Sequence, residues 1–182
     1  YAPKMSIFCL YGVGNPTERA YLYRRNWEGV VGGEGTKRVL GNPFMIIDHV
    51  SDDSKNISFG IKYVDGDGSV PLISLGYICA DAWKRESSGL NPSHSPVYTR
   101  EYMHKTEFRV DDPMRGGPTS SDHVDILGNA RMMKDFLKIA TDFDYEKVES
   151  DQIISNIHQI AAKTNAHPKG GIFKKRGWKF LP

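Results

Sequence analysis

Two residues in this sequence have the type and setting to do chemistry together. Asp67 stands in Asp65-Gly66-Asp67-Gly68-Ser69, flanked by glycines and directly after a β-favouring run at 57–64. A carboxylate on a tight turn at the C-terminal end of a strand projects into the crevice above a parallel sheet. His123 stands in Ser121-Asp122-His123-Val124-Asp125, between a Gly/Pro-rich loop and an apolar stretch of helical period. A loop histidine at a helix entrance can face a crevice. If Asp67 accepts a hydrogen bond from His123 Nδ1, the pair becomes the orienter and general base of a nucleophile triad. Acid before histidine then matches the known triad order nucleophile, acid, histidine. That order requires a nucleophile upstream of Asp67, commonly in Gly-x-Ser-x-Gly, and the chain holds no such pentapeptide. The nucleophile is therefore expected before Tyr1.

Each residue also has a plainer reading. Asp65, Asp67 and Ser69 alternate as calcium ligands would, but Val70 stands at the expected sixth-position glycine and Gly76 at the acidic twelfth. Asp67 can equally cap the helix that follows it. A lone histidine is ordinarily a surface or packing residue, and only its partner argues otherwise. Other motifs are incomplete. Gly12-Val13-Gly14 follows a strand, but Thr17 occupies the third glycine position of a dinucleotide fingerprint, and the glycines near Gly32 lack a phosphate loop's Gly-Lys-Ser/Thr ending. No cysteine or histidine spacing suits zinc. Asn56-Ile57-Ser58 is a glycosylation sequon, meaningful in a lumenal or secreted protein.

These residues must be positioned by a mixture of strands and helices. Residues 6–11, rich in strand formers, end at Gly12-Val13-Gly14-Asn15-Pro16 and read as a buried strand emptying into a loop. Residues 17–40 have no sustained period, with 30–35 a loop or a wide hairpin turn. The runs 44–50 and 57–64 suggest an antiparallel hairpin or two sequential strands across a polar 51–56. Leu72, Leu75, Ile78, Cys79 and Ala82 recur at helical spacing, so a helix is predicted over 72–84. Residues 98–104 are ambiguous, 106–110 read as a short strand, and 112–121 as an irregular loop. Two helices follow, over 124–141 and 150–163. The end, 166–182, is a basic, aromatic tail with Lys169, Lys174, Lys175, Arg176, Lys179, Phe173, Trp178 and Phe180, solvated or resting on an anionic membrane surface.

The 182 residues are 39% hydrophobic and 25% charged, an ordinary globular composition. With 24 Lys+Arg against 22 Asp+Glu the net charge is +2, too small and too scattered to imply nucleic acid. No stretch approaches the roughly 18 apolar residues of a membrane-spanning helix, and no signal-peptide pattern opens the chain. Its start, Tyr1-Ala2-Pro3-Lys4-Met5, leads at once into an apolar strand and suggests a piece of something longer. Cys9 and Cys79 could pair, but each sits in an apolar run where a buried free thiol is the commoner case.

Four blocks together carry a resemblance. They are Pro3-Lys4-Met5 with Cys9 to Tyr21, then Asp65-Gly66-Asp67-Gly68-Ser69-Val70-Pro71-Leu72, then Arg115-Gly116-Gly117-Pro118, then Asp122-His123-Val124-Asp125-Ile126-Leu127-Gly128-Asn129. In this order, across most of residues 3–160, they resemble the C-terminal half of the phospholipid:diacylglycerol acyltransferases, in the lecithin:cholesterol acyltransferase-like branch of the α/β-hydrolases. The resemblance implies the C-terminal portion of an α/β-hydrolase fold, a mostly parallel sheet flanked by helices and incomplete in this chain, over 1–165. It also implies transfer of a fatty acyl group from a phospholipid through an upstream serine to diacylglycerol, giving triacylglycerol. Asp67 would be the triad acid and His123 the general base, with no cofactor or metal. The setting implied is the endoplasmic reticulum membrane with a lumenal active site, the membrane contact made through the parent protein. Ser69 departs from the family's usual Thr but keeps the hydroxyl, and the residues beyond about Lys163 do not match the family's end.

Overall fold

A parallel strand pair organises the site. This computed structural model describes residues 5–25, 30–33, 36–39, 44–107, 110, 116–142 and 144–166. Strand β1 (Ile7–Val13) is rich in β-branched and aromatic residues. After it come β2 (Thr17–Tyr21), β3 (Tyr23–Arg25), β4 (Val30–Gly33), β5 (Thr36–Val39), β6 (Phe44–Ile46), β7 (Ile57–Ser58), β8 (Ile61–Val64) and β9 (Val97–Met103). The helices are α1 (Leu72–Tyr77), which widens into a π turn over Ile78–Ala82, α2 (Ala130–Thr141) and α3 (Ile157–Ala166). β1 and β9 pair in parallel, Ile7 opposite Val97 through Val13 opposite Met103. The ambiguous residues 98–104 thus belong to the central strand pair.

Because side chains alternate across a strand, β9 serves two layers. Glu101 points toward α1 and α3, where Tyr11, Val13, Leu72, Ala80 and Ile157 form the buried core. Glu101 is wholly buried, and its carboxylate accepts from Tyr11 Oη (2.9 Å), Ser155 Oγ (2.7 Å) and the backbone N–H groups of Ile154 and Ser155 (both 2.6 Å). Burial and this neighbouring carboxylate push the Tyr11 phenol well up. On the other face, Arg100 Nε and Tyr102 Oη both donate to Asp135 of α2 at 2.9 Å. Helices therefore cover both faces of the parallel pair.

Between β1 and α1 lies an antiparallel arm. β2, β8 and β7 form one sheet, with a bulge between Glu18 and Ala20, while β3 pairs with β6 and β4 with β5. The runs 44–50 and 57–64 meet at their near ends, where Gly60 N donates to Val50 O (2.8 Å) and Asp52 bridges Ile57 in antiparallel fashion, while β6 itself pairs with β3. The second folds on itself, because Phe59 (φ 49°) and Gly60 (φ 76°) are both left-handed and reverse the chain between β7 and β8. Residues 17–40 hold four short strands in an arm whose paired segments are only three to five residues long, too short for a period to register.

Other expectations need correction. The helix over 124–141 is broken at Asn129, whose extended backbone and side chain cap α2 by accepting from Arg131 N and Met132 N, after a 3₁₀ turn over Asp125–Gly128. The helix over 150–163 starts only at Ile157. Before it Gln152 pairs with β9, and Glu101 holds the Ile154 and Ser155 amides. Thr106 and Glu107 are in no strand, and Phe108 and Arg109 lie outside the described residues, as do Arg115 and the tail beyond Ala166. Cys9 and Cys79 are joined in a disulfide rather than free. β1 and the π turn pack against each other and bring the two Cα atoms to 6.3 Å, inside bridging range. No helix among the described residues is long and apolar enough to cross a membrane.

Candidate active site

The acidic turn reaches its place by returning to the strand it left. The chain leaves β1 at Asn15, runs through the antiparallel arm, and comes back so that Asn15 N donates to Gly66 O (3.0 Å) and Asn15 bridges Asp67. β8, the strand before the turn, pairs antiparallel with β2, and it is the end of β1 over which Asp67 sits, in a parallel bridge with Asn15. Thr17, fully buried, clamps the turn: its hydroxyl accepts from Gly68 N (2.8 Å) and donates to Asn15 O (2.9 Å). Gly68 has φ +91°, and a Cβ there would run into Asn15 Nδ2 and the Asp122 carboxylate, so only glycine suits the position.

Asp67 is 5% exposed and uses both carboxylate oxygens. Oδ1 accepts from Ser69 N (3.0 Å) and Val70 N (2.7 Å), which folds the turn locally. The helix-cap reading is replaced: Pro71 is the residue before α1, and no side chain caps it. Oδ2 lies 2.8 Å from His123 Nδ1. The backbone repeats the contact, with His123 N donating to Asp67 O at 2.9 Å. The two sequence-derived candidates, 56 residues apart, are brought into one hydrogen-bonded pair.

The histidine loop is fastened from several sides. Ser120 and Ser121 are wholly buried. Asn129 Nδ2 donates to Ser120 O (2.9 Å) and Ser121 Oγ (3.0 Å), so the residue that caps α2 also anchors the loop. Ser121 N donates to His104 Nδ1 (3.1 Å), just past β9. Asp122 Oδ2 accepts from Asn15 Nδ2 (3.1 Å), linking the histidine loop to the end of β1. Asn15, Thr17 and Asn129 were not singled out by chemical reasoning on the sequence, because each acts as a structural tie, to the Asp122 carboxylate, to the acidic turn's backbone, and to the histidine loop and the α2 N-terminus respectively. Among the described residues no group of three His, Cys, Asp or Glu could hold a metal.

The His123 side chain is 48% exposed, and the Asp67 side chain only 7%. The hydrogen bond to Asp67 first, then the carboxylate's charge and more weakly that of Asp122, hold the imidazole above its ordinary value. With Nδ1–H donating to Asp67, the neutral ring carries its lone pair on Nε2, which has no hydrogen-bond partner among the described residues. A buried acid orienting a solvent-facing imidazole can take a proton from a hydroxyl and return it.

Comparison with known proteins agrees with this architecture. Residues 1–130 match the sequence profile of lecithin:cholesterol acyltransferase. The chain is 35% identical over 162 residues to the putative phospholipid:diacylglycerol acyltransferase 2 of Arabidopsis thaliana, covering 89% of this chain and 23% of that protein. It is 37% identical over 161 residues to phospholipid:diacylglycerol acyltransferase 1 of the same plant, covering 87% and 22%. Against the phospholipid:diacylglycerol acyltransferase of Schizosaccharomyces pombe the identity is 33% over 165 residues, 91% and 23%. The chain spans under a quarter of the length of these curated relatives. No solved structure matches it. The profile runs through both the acidic turn and the histidine loop, and a parallel strand pair with helices on either face holds them, so the chain belongs to the lecithin:cholesterol acyltransferase family, with its α/β-hydrolase-like fold.

Proposed function

We propose that this chain is the C-terminal portion of an α/β-hydrolase-fold acyltransferase, residues 1–165 with a basic tail at 166–182, and supplies the acid and the base of its Ser-Asp-His triad. The observation that carries the reading is the 2.8 Å contact between the buried Asp67 carboxylate and the half-exposed His123 imidazole. The serine is contributed by a segment outside these residues. His123 Nε2 takes the serine proton as the oxygen attacks a phospholipid acyl carbonyl, then delivers it to the departing lysophospholipid oxygen. In the second half-reaction the same nitrogen takes the proton of a diacylglycerol hydroxyl, whose oxygen attacks the acyl-enzyme, and returns it to the serine. Triacylglycerol leaves. Asp67 holds the tautomer throughout, and the chemistry calls for no cofactor or metal. Transfer outruns hydrolysis when water is kept from the acyl-enzyme, which suits a site at a membrane surface.

The names of the relatives support phospholipid as donor and diacylglycerol as acceptor. The Cys9–Cys79 disulfide supports an oxidising compartment, in keeping with a lumenal site on the endoplasmic reticulum membrane. Purified full-length protein with labelled phospholipid should transfer the label to diacylglycerol. Preference for a sterol would make it a sterol acyltransferase of the same branch, and preference for water a phospholipase. Asp67→Asn is expected to lower the transfer rate by about ten-thousand-fold, with His123→Ala at least as damaging. Near-normal rates in both variants would remove the triad assignment and leave a non-catalytic lipid- or protein-binding module.

A further inference from the structure

The triplet Asn56-Ile57-Ser58 plays no part in the acid–histidine pair, yet its geometry is distinctive. Asn56 ends the 3₁₀ turn Asp53–Lys55 in the left-handed conformation (φ 53°, ψ 46°). Its backbone is committed: the N–H donates to Asp53 O (3.1 Å), and the carbonyl accepts from Tyr63 N (2.8 Å). Its side chain is exposed and makes no hydrogen bond among the described residues. A substituent on Nδ2 would therefore cost the fold no contact. Residue 57 is not proline, and Ser58 supplies the hydroxyl that the acceptor triplet needs. Independently, Cys9 and Cys79 are disulfide-bonded, which belongs to the same oxidising compartment in which asparagine is glycosylated.

We propose that Asn56 is N-glycosylated, an inference that rests on the lumenal placement given above. The donor class is an oligosaccharide carried on a polyprenyl diphosphate. Asn56 Nδ2 displaces the diphosphate from the anomeric carbon: the N–C bond forms, the C–O bond breaks, polyprenyl diphosphate leaves, and the amide loses one proton to the transferase. Asn56 also lines a cavity of about 530 Å³ together with Gly14, Pro16, Ile57, Tyr63 and Asp65. The glycan stands beside that cavity, whose lining includes Asp65, two residues before the catalytic acid.

The test uses the full-length protein expressed through a eukaryotic secretory pathway. Peptide N-glycosidase should convert residue 56 from Asn to Asp, read by peptide mass spectrometry, and should increase electrophoretic mobility. Asn56→Gln and Ser58→Ala should each migrate one glycan step ahead of the parent, whereas Ser58→Thr should not. Ser58→Ala leaves Asn56 in its left-handed turn, so its result does not depend on disturbing that conformation. An unmodified residue 56 in protein whose Cys9 and Cys79 are bonded would overturn the glycan while leaving the lumenal reading intact. An unmodified residue 56 together with free thiols at both cysteines would overturn both.

Discussion

Asp67 engages its neighbours through three oxygens: Oδ1 folds its own turn, Oδ2 meets the imidazole, and the main-chain carbonyl holds the histidine's N–H. The raised pKa of His123 has two opposite consequences for pH. The protonated ring is favoured in the folded state, so the pair's contribution to stability is complete below about 6.5 and lost as pH rises through the higher folded value. Catalysis needs the neutral ring, so the acid limb of kcat/KM in the full-length enzyme should lie above about 6.5. In Asp67→Asn the residual activity should show that limb displaced to lower pH. An unmoved limb, measured on both proteins with the same substrate, would mean that Asp67 does not set the histidine's protonation. At this scale the paired acid and histidine, Asp67 and His123, were legible from residue type and order. Asn15 and Thr17 were not, since an amide that meets the Asp122 carboxylate and a hydroxyl that meets the Gly68 backbone leave no signal in the nearby sequence.

Among the elements, β1 ties several segments together: β9 lies along it, the acidic turn returns to its end, and the disulfide ties it to the π turn after α1. The cross-link closes 70 residues of sequence, a loop whose entropy in the unfolded chain is worth about 4 kcal/mol on the chain-entropy estimate. Replacing both cysteines by alanine should lower the unfolding free energy of the full-length protein's hydrolase domain by roughly that amount. Denaturant midpoints of the two proteins would check it, and equal midpoints would mean that the bridge does not constrain the domain. Apolar surroundings suggested free thiols because burial and pairing look alike along the chain. The 72–84 helix was readable from its period, whereas the break at Asn129 and the late start at Ile157 were not. In both places a polar side chain satisfying backbone groups outweighs an apolar repeat that continues through it.

Taken whole, the described residues leave the parallel pair open on one side. β1 has β9 on one side and no strand on the other among the described residues. An unpaired parallel edge, together with exposed Val124, Leu127, Phe136 and Leu137, is a template for association. The 182 residues produced alone should therefore aggregate, read by size-exclusion chromatography, and co-production with the rest of the parent protein should restore a soluble or detergent-soluble species. A monomer of these residues that melts cooperatively would refute the proposal that the hydrolase fold is incomplete here.

Residue chemistry, turn composition and apolar period were sufficient to point to an acid, a histidine, a mixed α/β architecture and a family resemblance. Each of these is written in stretches of a few residues to a few turns of chain. Which segments meet was decided only in three dimensions: Asp67 over the end of β1 rather than after a parallel strand, Cys9 on Cys79, and Gln152 beside β9. Such pairings depend on long-range hydrogen bonds and packing between segments that carry no mark of one another. The sequence therefore determines them only through the free energy of the whole fold.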